Sequence, residues 1–91
     1  MATVLLPRSL LALFPGVERR HELAGETVDA VLTALDAHAP GMRDRLVESG
    51  PRLRPHINVF VGNEAIRFAD GLNTPVADGV EILIVPAVSG G

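Results

Sequence analysis

The chain has no cysteine, no lysine, no tryptophan and no tyrosine, and only three phenylalanines in 91 residues. Without cysteine there is no disulfide, no thiolate metal site and no thiol nucleophile. Without lysine, side-chain Schiff-base and ammonium chemistry are excluded, and all eight basic residues are arginine. So few aromatic rings leave little on which bases could stack. Eight scattered arginines against eleven acids give a net charge of −3, the reverse of a nucleic-acid footprint. Long apolar runs are also missing. The segment "VLLPRSLLALFPGV" is interrupted by Pro7, Arg8 and Pro15 and has no basic stretch before it, so it reads neither as a signal peptide nor as a membrane span. The expected location is the cytoplasm, with no membrane and no nucleic-acid partner.

What is present fits one soluble domain over residues 1–91: 47% hydrophobic and 21% charged residues, enough for a modest core. "TVLLP" reads as a strand closed by Pro7, and "RSLLALFPG" as a loop or a short helical turn. Weak alternation over Val17 to Ala24 predicts an edge strand. "GETVDAVLTALDAHAPG" is the strongest helix. Thr27 is its N-cap, Pro40–Gly41 its stop, and Val28, Val31, Leu32 and Leu35 its apolar stripe. "GMRDRLVESGP" adds a short helical stretch, with Met42, Leu46 and Val47 turned inward, before the loop "SGPRLRP".

Ile57 to Val61 and Ala65 to Phe68 flank a Gly-Asn-Glu turn and predict a hairpin. Val80 to Pro86 is apolar on both faces, the mark of a central strand. The expected class is therefore α+β, with one main helix laid across a mixed sheet of four to five strands.

No catalytic constellation stands out in the body of the chain. His21, His38 and His56 match no metal-ligand spacing, which predicts no metal site. Ser9, Ser49 and Ser89 lack a nucleophile-elbow setting, and "DGLNTPVADG" lacks the lysine of a phosphate loop. The remaining feature is the ending "VPAVSGG". Pro86 stiffens the exit from the last strand, and Val88, Ser89, Gly90 and Gly91 make a thin end suited to threading through a narrow channel where a Cβ would collide. Residues 86–91 are expected to form a flexible tail.

With "TVLLP", "GETVDAVLTAL", "INVFVGNEAIRF", "GLNTPVADGVEILIVP" and "PAVSGG" in this order, essentially the whole chain resembles the ubiquitin-like sulfur carriers, proteins of the MoaD, ThiS and CysO type with a β-grasp fold. The segment "VGNEAIRFADGLNTPVADG" makes it most similar to the CysO type. The resemblance implies a protein that is a co-substrate and has no catalytic residues or bound cofactor of its own. A partner adenylyltransferase would use ATP to join the Gly91 carboxylate to AMP, and sulfide or a persulfide would displace AMP to leave a thiocarboxylate.

The acceptor implied by the CysO type is a pyridoxal-phosphate (PLP)-dependent cysteine synthase, with a metal-dependent peptidase releasing the product. The MoaD type implies the large subunit of molybdopterin synthase. Thiamin, tRNA-thiolation and natural-product pathways share the logic, and a ubiquitin-like protein modifier or a plain interaction domain is the alternative from another class. Docking is expected at Leu83, Val85 and Pro86 beside the tail. Alternation places Glu81, Leu83 and Val85 on the outer face and Val80, Ile82 and Ile84 towards the helix.

Overall fold

The computed structural model describes residues 1–86; Val88, Ser89, Gly90 and Gly91, expected to form the threading end, lie outside them. Five strands form one sheet: β1 (Ala2–Leu5), β2 (Arg20–Leu23), β5 (Ile57–Val61), β6 (Glu64–Ala65) and β7 (Glu81–Pro86). Their order is β2-β1-β7-β5-β6, with β1 parallel to β7 and the other pairs antiparallel. The strand with the most continuous apolar sequence is thus the middle one. Helix α2 (Val28–His38) covers one face of this mixed sheet, the arrangement of a β-grasp domain, with short helices α1 (Arg8–Leu11) and α3 (Met42–Leu46) beside it.

Helix α2 forms where its caps and stripe predict. The Thr27 hydroxyl oxygen accepts from the Ala30 N–H at 3.2 Å, and Val28, Val31, Leu32 and Leu35 are all fully buried. Each such side chain contributes about 1.5–3 kcal/mol of burial. They meet Val4, Val59, Ile82 and Ile84 from the sheet, and Leu6, Met42, Leu46 and Ile66 close the sides of the core. Thr27→Ala is expected to destabilise the fold by about 1 kcal/mol in urea denaturation, because one N-terminal N–H of α2 loses its acceptor.

Several expectations need correcting. The edge strand is only Arg20–Leu23, since Phe14 to Val17 is held in a turn by the Val17 N–H donating to the Phe14 carbonyl. The helical stretch of "GMRDRLVESGP" ends at Leu46, and a small ribbon follows: β3 (Val47–Glu48) pairs antiparallel with β4 (Arg52–Leu53), the latter inside the loop "SGPRLRP", and Arg52 Nε reaches Glu48 at 2.8 Å. The hairpin forms on Gly62, whose φ of +61° suits the first position of a two-residue turn. Its second strand ends at Ala65. Ile66–Phe68 turns into a 3₁₀ helix that buries Ile66 and leaves Phe68 87% exposed. Strand pairing there would have traded a buried Ile66 for nothing on the sheet's edge.

Candidate functional site

Strand β7 aims the last described residues at one end of the sheet, and its alternation separates two sides. Ile82 and Ile84 are fully buried towards α2, while Leu83 and Val85 are half-buried on the outer face and Glu81 is exposed. Register shows what surrounds them. Leu83 lies between Leu5 of β1 and Phe60 of β5, and Val85 lies beside Asn58. Phe60 is in turn paired with Ala65. A transverse apolar row, Leu5–Leu83–Phe60–Ala65, therefore crosses the uncovered face just before the tail. Pro86 does not join it. It pairs with Ile57 and stands on the helix side, so it borders the tail from the opposite direction to Leu83 and Val85.

The row is bounded by polar groups towards β2. The Thr3 hydroxyl donates to both Glu22 carboxylate oxygens at 3.0 and 2.9 Å, and Arg20 pairs with the same carboxylate at 3.1 Å. The Thr3 hydrogen bond, followed by that of Arg20, holds the Glu22 carboxyl below its ordinary pKa, because both favour the ionised form. A carboxyl lowered in the folded state contributes stability above its unfolded pKa and loses it as pH falls through the folded one. Thr3→Val is therefore expected to raise the Glu22 pKa towards the ordinary glutamate range, read by NMR titration of its side-chain carboxyl. Loss of the hydroxyl with no change in that titration would contradict the assignment.

Two arginines fasten the end from which the tail leaves. Arg19 Nε donates to the Leu6 carbonyl at 3.2 Å, and an Arg67 guanidinium N–H donates to the Ile57 carbonyl at 2.7 Å. Leu5, Phe60 and Ala65 were not among the residues expected at the docking face. The alternation of "INVFV" would have put Phe60 with Asn58, but only strand register reveals that both neighbours of Leu83 are apolar. His21 and His38 come together with ring centroids 6.1 Å apart. Among the described residues no group of three or more histidine, aspartate or glutamate side chains is gathered to hold a metal ion. Also among them, no helix is long and apolar enough to cross a membrane.

The model of the ThiS family matches residues 5–91 of the chain. The sulfur carrier protein CysO of Mycobacterium tuberculosis is 37% identical over 91 residues, covering 98% of this chain and 97% of that one. A chain in the crystal structure of the Amycolatopsis orientalis BexX/CysO complex superposes over the whole of both chains, with a TM-score of 0.88 and 36% identity. Small archaeal modifier protein 3 of Haloferax volcanii is 37% identical over 65 residues, 71% of this chain and 70% of that protein.

Proposed function

The chain belongs to the ThiS family, and from that premise we propose that it is a sulfur carrier whose working group is the Gly91 carboxylate. The observation that carries the reading is the combination of a family match running to residue 91 with a central strand whose last described residues border an uncovered apolar row. A carboxylate is a poor acylating agent. Joined to AMP by a partner enzyme using ATP, with release of pyrophosphate, it becomes an acyl-adenylate; sulfide displaces AMP to give the thiocarboxylate directly, whereas a persulfide gives an acyl disulfide that a partner thiol then cleaves, forming a disulfide on the partner. The resulting thiocarboxylate is ionised at neutral pH and is a soft nucleophile for an acceptor enzyme. The chain itself supplies the carbonyl, the approach and the docking surface. Activation and transfer belong to its partners.

The composition suits this chemistry. No cysteine or lysine side chain is available to capture the activated carbonyl. The Met1 amine is engaged by Asp78 at the start of β1, and β1 runs parallel to β7, so it sits at the opposite end of the sheet from Pro86. Full-length similarity to CysO supports an acceptor of the PLP-dependent cysteine synthase class, with molybdopterin synthase as the alternative acceptor. The similarity to an archaeal modifier favours one second reading: the activated Gly91 carbonyl is passed to an amine of another protein.

One incubation separates these readings. The chain is mixed with ATP, sulfide and a candidate adenylating enzyme, with a lysine-rich protein present, and intact masses are measured. Exchange of one oxygen for one sulfur supports the carrier. An adduct on the lysine-rich protein instead supports the modifier, and unchanged masses with every family-matched adenylating enzyme reject both.

A further inference from the structure

Charge is distributed unevenly along the sheet. β1 and β7 run one way and β2 and β5 the other. The end where β7 begins therefore carries Glu22, Glu81, Asp78 and Glu64. The end where β7 finishes gathers Arg8, Arg19, Arg45, Arg54 and His56, with Glu18 and Asp44 as the acids among them, while Arg20 is turned back to Glu22. On a chain of net charge −3 the tail thus emerges from the basic pole.

Two open cavities meet at that pole. One, of about 250 Å³, has an apolar wall of Leu10, Leu13, Ile57 and Pro86 with Arg45 and His56 on its rim. The other, of about 330 Å³, is lined by Asp44, Arg45, Arg54 and His56. Because they share Arg45 and His56, they form one groove that is apolar beside the tail and basic beyond it. Ile57 and Leu10 belong to the core, so this groove lies on the helix side of β7, opposite the Leu83–Phe60 row. Leu13 is 51% exposed within it.

Two carboxylates of the chain itself, those of Asp44 and Glu48, stand against Arg45 and Arg54 in the basic half. Asp44 lines the basic half, its backbone carbonyl accepting from Arg54 Nε at 2.8 Å, while Glu48 is taken by Arg52 at 2.8 Å and lies 3.9 Å from Arg54. Among the described residues the Arg45 guanidinium has no ion pair and no hydrogen bond.

We infer that this groove is a second docking site, separate from the outer sheet face, for an acidic segment of the enzyme that receives the tail. An aliphatic side chain of that segment would sit against Leu10, Leu13 and Pro86, and its carboxylates would meet Arg45, Arg54 and His56. Charge complementarity selects an acidic partner, and the placement grips the base of the tail from both sides of β7, fixing its direction before the end is threaded. The identity of the partner rests on the carrier reading. The groove and its preference for acidic, aliphatic sequence do not.

The test is an NMR titration of the ¹⁵N-labelled full chain with a synthetic peptide of alternating glutamate and leucine, and with its lysine–leucine counterpart. The acidic peptide should shift the amides of Leu10, Leu13, Arg45 and His56, and the lysine peptide should not. Arg45→Glu and Leu13→Ser, both at exposed positions, should each raise the Kd of the acidic peptide by about fivefold or more while leaving the remaining spectrum unchanged. Shifts centred on Leu83 and Phe60, equal binding of the lysine peptide, or no shifts at saturating peptide would overturn the proposal. Binding in the groove by a chain that no adenylating enzyme charges would keep the site and reject the carrier reading instead.

Discussion

Deleting Gly91 is expected to lower thiocarboxylate formation by at least about a hundredfold while leaving the melting temperature unchanged. The reacting carbonyl of a threaded tail must reach the adenylating site, and a chain one residue shorter presents the Ser89–Gly90 end short of it. Gly91→Ala is a milder version, since the added Cβ must pass wherever the channel fits only glycine. Among the described residues every member of the buried core lies between Ala2 and Ile84, so neither change is expected to touch what holds the fold together. Charging is read by intact mass and stability by circular dichroism. Normal charging of the shortened chain would remove Gly91 from the mechanism.

The opposite outcome is expected for Ile84→Ala. Ile84 is fully buried in the central strand and paired in register with Val59, so truncation removes three carbons from a closed core. The loss is about 2–5 kcal/mol, a large part of the roughly 5–15 kcal/mol available to a domain, and lowers Tm by on the order of 15 °C. Leu83→Ala, one residue away but on the outer face, should cost about 1 kcal/mol or less. Equal destabilisation by the two would mean that the face carrying Leu5, Leu83 and Phe60 is not the uncovered one.

Strong local signals were the ones legible in the sequence. Helix α2 could be read almost to the residue because its cap, stripe and stop are encoded within one stretch. The central position of β7 followed from its two apolar faces, and Glu81 marked the set Glu81, Leu83 and Val85 as the outer one. What could not be read depends on contacts between distant segments. The β3–β4 ribbon has two residues per strand, too short for any alternation to register. Ile66–Phe68 carries strand-like residues, yet the core draws in Ile66 alone and the backbone turns to deliver it. Pro86 was grouped with Leu83 and Val85 by proximity, whereas pairing with Ile57 puts it across the sheet.

The same distinction applies to the site. The glycine end and the neighbouring strand announce themselves by composition. The apolar row needs three strands in register, and the basic groove needs α1, α3 and the start of β5 brought together around Pro86. Neither arrangement has a linear motif.

Everything proposed for the tail depends on sulfur being carried at Gly91. The most direct measurement is the mass of the C-terminal peptide, Phe68 to Gly91, released by cleavage after Arg67 from protein charged with ATP, sulfide and an adenylating enzyme. The predicted result is one sulfur in place of one oxygen, with fragment ions placing it on Gly91. A charged protein whose C-terminal peptide keeps its original mass would contradict the account.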